Sequence, residues 1–226
     1  TIAIDAAERM VQIKPNSDSY VTLARSLQSS PNPYRAGKDA PNLKRAERAI
    51  RSAFAATKQP TQEMYGLLGS ILEDRELFAE SKAAFMKAYD MARSQGDSGQ
   101  IADALRDLVR TSAALPNGAA ETDRWFKALN DTGATQWYDW DEQARRLIDR
   151  NSYKAAGDAF VMAASKEPDV WSSFCDAATA YALADSLDEE LEMARTGIAK
   201  GVSKKNSEKS LAAAHAQIAR VLNTRG

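Results

Sequence analysis

The 226-residue sequence predicts an all-α fold, a right-handed α-α superhelix of antiparallel helix pairs that fills residues 1–226 as a single domain. Three observations predict it. Apolar residues recur at helical spacing in short blocks that turn residues interrupt. One such pair of blocks returns after 34 residues, so that Trp140, Ala144 and Leu147 reappear as Phe174, Ala178 and Tyr181. Proline and glycine are scarce, at 7 and 11 residues, while alanine is abundant, and that balance favours helix almost everywhere.

Taken in order, the first element is a lone helix in 1–16. Ala3, Ala7, Met10 and Pro15 read as the second helix of a pair whose first helix is missing. The pair in 17–61 follows, with Tyr20, Leu23, Ala24 and Leu27 on its first helix and Ala46, Ile50 and Ala53 on its second. Between them runs Ser29 to Pro41, too rich in proline, glycine and serine for a tight helical turn, and it is expected as an inserted loop. In 62–95, Tyr65, Leu68, Gly69 and Leu72 mark the first helix and Phe78, Ser81, Phe85 and Ala88 the second. The unit 96–136 is lengthened, because Tyr65 and Trp140 lie 75 residues apart, two periods plus seven. Its helices carry Ile101, Ala104, Leu105 and Leu108, then Glu121, Trp125, Ala128 and Leu129. The turn Leu115-Pro116-Asn117-Gly118 is expected to hold most of the extra length. In 137–170, Trp140, Ala144 and Leu147 precede a turn at Asp149–Ser152, and Tyr153, Ala156, Phe160 and Ala163 follow before Pro168. In 171–211 the second helix shows Ala194, Gly197 and Ile198 inward, with Glu190 where a small residue is expected. Residues 212–226 read as a first helix whose partner is missing, with His215 at its aromatic, packed position. Both ends cut through repeats, which points to a fragment of a longer array.

The unit 137–170 resembles the tetratricopeptide repeat (TPR) in its spacing of a large residue, a small residue in the first helix, a small-and-aromatic second helix and a closing proline. Gln143 takes the leucine place, Ala144 the glycine place and Leu147 the tyrosine place. The unit 62–95 resembles the same pattern with the Leu68-Gly69 pair intact. Small residues let the two helices of a pair approach, and each hairpin must stack on a neighbour to bury its apolar face. Gly69 and Ala144 are therefore expected at close crossings.

Composition narrows function. A formal net charge of −1 gives no electrostatic case for a nucleic-acid partner or an anionic membrane surface. No apolar run is long enough to span a bilayer, and no secretory signal peptide is present in this chain. The chain starts at Thr1, which points to processing or excision and leaves the compartment open. One cysteine, Cys175, and one histidine, His215, exclude an internal disulfide and a cysteine-rich zinc site. No glycine-rich phosphate loop, zinc helix motif or nucleophile elbow occurs, so no cofactor, metal or catalytic residue is expected. The acidic pairs Glu73-Asp74 and Asp141-Glu142 and the run Asp188-Glu189-Glu190 read as solvated faces or helix-start charges.

The resemblance implies a concave groove lined by first helices, where extended peptides lie. The position five residues after each opening large residue places Arg25, Ser70, Arg106, Arg145, Thr179 and Arg220 there, with Tyr138 beside them. Arginine at four of six equivalent places suits an acidic segment, because guanidinium matches carboxylate. The competing reading pairs these arginines with Asp103, Asp141, Asp149 and Asp176 on the same helices, with little effect on stability. A known TPR subgroup clamps chaperone carboxylates with lysine and asparagine. The corresponding places here hold Gly66, Ser70, Asp103, Tyr138 and Glu142, so that pattern fails. The expected function is a non-catalytic protein- or peptide-binding scaffold. The alternative is a regulatory or sensor domain of a longer protein, binding a small ligand or supporting a separate catalytic domain.

Overall fold

The computed structural model describes residues 2–29, 40–167, 171–203 and 208–225. Among them are twelve α-helices and no strand. They gather into two compact units, Thr1–Ala134 and Thr135–Gly226.

Unit 1 holds α1 (Ile2–Ile13), then the pairs α2 (Ser17–Gln28) with α3 (Pro41–Ala55), α4 (Gln62–Asp74) with α5 (Phe78–Gln95), and α6 (Ser98–Ala113) with α7 (Ala119–Asp131). Consecutive helices pack on each other throughout. The core of the first part joins Ile4, Ala24, Leu27, Ala46, Ile50, Ala53, Met64 and Ile71. On α1 it is Ile4 and Ala7 that turn inward, whereas Ala3 and Met10 are exposed. Of the apolar residues expected inward only Ala7 is, with Ile4 in place of Ala3. Pro41, expected in the loop, is the first residue of α3, where its missing N–H is harmless. Most of the expected loop, residues 30–39, lies outside the described residues.

The α4/α5 pair shows why the Leu68-Gly69 signature matters. A Cβ at Gly69 would lie 2.6 Å from the ring of Phe85, which is 1% exposed. The buried Ser81 hydroxyl donates to the Gly69 carbonyl at 2.8 Å and fixes the crossing. Phe54 of α3 meets Tyr65 of α4 edge to face, with centroids 4.9 Å apart. In the lengthened pair the extra residues are shared. The α6 helix has 16 residues against 13 in α4, the turn Ala114–Gly118 is longer than the one at 75–77, α7 has only 13 residues against 18 in α5, and the flanking segments 96–97 and 132–136 supply the remainder. That turn needs glycine at 118, because a Cβ would sit 1.8 Å from the Ser112 carbonyl oxygen.

Unit 2 holds α8 (Trp137–Asp149) with α9 (Tyr153–Lys166), α10 (Trp171–Leu183) with α11 (Leu187–Ser203), and α12 (Glu208–Arg225), which packs on α11 and α10. Ala144, Ala156, Phe160, Ala177, Ala180 and Tyr181 form its core, with Trp140 and Leu147 against it. Gly157 of α9 is a notch for Tyr181 of α10, whose ring would lie 2.6 Å from a Cβ there. The Tyr181 hydroxyl donates to Asp158 at 2.7 Å. Pro168 lies outside the described residues.

Start and stop chemistry follows local rules. The side chains of Asn16, Thr61 and Asp97 accept from the backbone N–H groups of Ser19, Met64 and Gln100. The turns within four of the helix pairs, α4/α5, α6/α7, α8/α9 and α10/α11, each place one residue at positive φ: Glu76 at 57°, Asn117 at 60°, Asn151 at 59° and Asp185 at 56°. Asparagine tolerates this left-handed conformation, but glutamate adopts it at a cost.

Candidate functional site

In unit 1 the first helices α2, α4 and α6 share one polar face. Arg25 of α2 pairs with Glu63 of α4. Gln28 of α2 donates to the Ser70 hydroxyl and to the Asp74 carboxylate of α4, both at 2.7 Å. Arg110 of α6 grips Glu73 of α4 with two 2.7 Å hydrogen bonds and also reaches Asp107 at 2.7 Å. This fork holds the Arg110 proton more firmly than usual, while burial pushes the Asp107 carboxyl up and Arg110 offsets part of that rise. Arg106 donates to Asp103 at 3.0 Å and to the Ala134 carbonyl at 2.7 Å. The face therefore sets three arginines against five carboxylates: Glu63, Glu73, Asp74, Asp103 and Asp107.

At one end of this face lies a cleft of about 280 Å³ between the first turns of α2 and α4. Its walls include Asp18, Val21, Arg25, Thr61, Glu63 and Met64.

In unit 2, Arg145 of α8 is bound to Asp141 at 2.8 Å, one turn back on its own helix. The hydrogen bond that Arg145 donates to Asp141 and the charge of Asp176 on α10 both hold its proton more tightly than usual. Burial pushes the Asp176 carboxyl up. Tyr138 is 47% exposed and meets Trp137 edge to face, with centroids 5.9 Å apart. Thr179 is exposed and donates to the Cys175 carbonyl at 2.9 Å. Arg220 of α12 reaches Glu190 of α11, a residue with no exposed surface.

Every arginine of the expected row thus already has a carboxylate: Arg25 with Glu63, Arg106 with Asp103, Arg145 with Asp141 and Arg220 with Glu190. Arg106 and Arg145 pair on their own helices as the competing reading expected, while Arg25 and Arg220 reach carboxylates on neighbouring helices. The sequence missed the cross-helix partners Glu63, Gln28, Glu73 and Arg110. A signal was present, since Glu73 and Arg110 are opposite charges 37 residues apart, close to one repeat.

Two other expectations change. His215 is exposed, where a packed histidine was expected. The equivalent residues Tyr65, Trp140 and Phe174 are half-buried, and the helix that carries His215, α12, packs on α11 and α10. Glu190, at a small-residue place, is buried because Arg220 compensates its charge. Cys175 lies at a helix crossing, its sulfur where a Cβ on Gly197 of α11 would be 2.7 Å away, and burial raises its thiol to about 11. It is held as an unreactive thiol.

No family model and no curated protein matches the chain. Solved structures match its fold over nearly its whole length. YrrB, a TPR protein with an unusual peptide-binding site, is 18% identical, with a TM-score of 0.62, 95% of this chain covered and 99% of that one. BtubC from P. vanneervenii is 11% identical, with a TM-score of 0.63 and coverage of 91% and 89%. The C-terminal part of a TPR repeat-containing protein from Cytophaga hutchinsonii is 14% identical, with a TM-score of 0.60 and coverage of 96% and 88%.

The fold is the tetratricopeptide-repeat fold. In TPR terms α2, α4, α6, α8, α10 and α12 are A helices, and α3, α5, α7, α9 and α11 are their B partners. Among the described residues no group of three or more histidine, cysteine, aspartate or glutamate side chains could hold a metal ion, and no helix is long and apolar enough to cross a membrane.

Proposed function

We propose that this chain is a non-catalytic scaffold that binds a protein or peptide along its A-helix faces. The observation that carries the reading is the polar A-helix face itself. In unit 1 it is a row of hydrogen-bonding side chains, Arg25, Ser70 and Arg106 among them, displayed by the three A helices α2, α4 and α6. In unit 2 the exposed Tyr138, Arg145 and Thr179 sit on α8 and α10. Tyrosine and arginine are the side chains that anchor protein interfaces. YrrB, with the same fold, has a peptide-binding site, which supports the reading. The engaged arginines give no reason to prefer an acidic partner.

The test blocks the face without changing its charge. Ser70→Trp and Thr179→Trp place a large ring at the same repeat position in each unit. A Lys127→Trp variant on the exposed side of α7 is the control. Proteins captured from the native source by the unaltered chain should be lost by the Ser70/Thr179 double variant and kept by the control, with circular dichroism unchanged. Equal capture by all three would overturn the proposal.

A further inference from the structure

We infer that the A-helix face of unit 1 takes a basic segment of a partner protein, with one lysine or arginine side chain seated in the cleft between α2 and α4; this rests on the scaffold reading above. The first argument is the shape and lining of the cleft. Val21 and Met64 provide apolar wall for a methylene stem, and the exposed Asp18 and Glu63 provide carboxylates for a cationic head. Arg25 is also in the wall, but Glu63 already holds it. Two carboxylates against one arginine leave the cleft negative.

The second argument is the charge of the adjoining face. Beyond the cleft it holds Glu73, Asp74, Asp103 and Asp107 against Arg106 and Arg110. Asp74 accepts from the neutral Gln28 amide, and the Asp103 side chain is 75% exposed, so both have room for a cation. Asp107 faces the carboxylates of Glu73 and Asp103 as well as Arg110. An acidic segment would meet these carboxylates with each arginine already engaged, and like charges in apposition select against a partner.

The experiment uses the full chain and three fluorescein-labelled peptides that share a glycine-serine backbone and carry lysine, acetyl-lysine or glutamate at alternate positions. Fluorescence anisotropy reads binding at low and at physiological salt. The lysine peptide should bind, weaken with salt, and lose at least about tenfold in affinity on Asp18→Asn with Glu63→Gln. Circular dichroism and melting should stay unchanged in that variant. Glu80→Gln with Asp90→Asn, exposed on α5, should change affinity less than about twofold. Three results overturn the inference: no binding of the lysine peptide, equal loss in both double variants, or tighter binding of the glutamate peptide. If the lysine peptide fails while Ser70→Trp with Thr179→Trp still abolishes partner capture, the basic-segment inference falls and the scaffold reading stands. If capture survives those tryptophans, the scaffold reading itself falls.

Discussion

Two glycines three residues apart on α4 should respond to the same substitution with opposite signs. Replacing glycine by alanine inside a helix gains about 1 kcal/mol from backbone propensity alone. At Gly66 a Cβ would meet no atom within 4 Å, so Gly66→Ala should realise most of that gain. At Gly69 three ring atoms of Phe85 would lie 2.6, 2.7 and 2.8 Å from the new carbon. Ordinary carbon contact begins near 3.5 Å, so the ring must retreat by about 0.9 Å. Phe85 is enclosed and has nowhere to go without displacing its neighbours. Overpacking of this kind costs about 1–3 kcal/mol. The propensity gain is common to both variants and cancels between them. The two should therefore differ by about 1–3 kcal/mol, with Gly66→Ala above the unaltered protein. Urea titrations and heat melts of the three proteins give the difference directly, read as midpoints because repeat arrays need not unfold in two states. Equal midpoints for the two alanine variants would mean that Gly69 does not face α5, and the repeat register would be wrong.

The remaining predictions rest on other parts of the structure. Ala144→Leu inserts three carbons at a site with no exposed surface and should cost about 1–3 kcal/mol, visible as a lower urea midpoint. Glu76→Gly relieves the positive φ of 57° and should stabilise by about 0.5–1 kcal/mol, measured in the same titration. Arg220→Met leaves the Glu190 carboxylate buried without its cation, so amide hydrogen exchange should accelerate in α11 and α12 and stay unchanged in α8 and α9. The Cys175 thiol sits at about 11 in the folded chain against an ordinary 9.0, so its stabilising share is whole below pH 9 and disappears between pH 9 and 11. At pH 8 the native thiol should react with iodoacetamide at least about tenfold more slowly than in denaturant, and equal rates would contradict the buried crossing.

The parts of the fold legible in the sequence are those in which one residue type has one packing consequence. Gly69 with Phe85, and Ala144 with Phe160, could be read because a small residue opposite a ring at helical spacing has few other uses. The turn at Asn151 was legible for the same reason, since asparagine tolerates positive φ. Glu76 occupies the same conformation without such a signature, because the helices on either side impose it. Charge was harder to read. The row of arginines stood out in the sequence, but its meaning depended on Glu63, Asp103 and Asp141, and only geometry tells which carboxylate a long side chain reaches. Glu190 looked like a defect in the repeat until Arg220, 30 residues away, was found against it. The cleft beside α2 had no sequence signal, since it is made by the relative placement of two first turns.

The two glycine notches divide their labour between kinds of cooperativity. Gly69 receives Phe85 from its own hairpin, so that contact belongs to the intrinsic stability of one repeat. Gly157 receives Tyr181 from the next hairpin, and that contact belongs to the coupling between neighbours. In a linear array these two quantities enter unfolding separately, the first setting where a repeat melts and the second setting how many repeats melt together. Filling the Gly69 notch should shift a transition along the denaturant axis with its steepness kept. Filling the Gly157 notch should broaden the transition of unit 2, as α8 with α9 begins to unfold apart from α10 with α11. A solenoid of this kind can thus tune the reach of a local fluctuation with one glycine, independently of how stable each hairpin is.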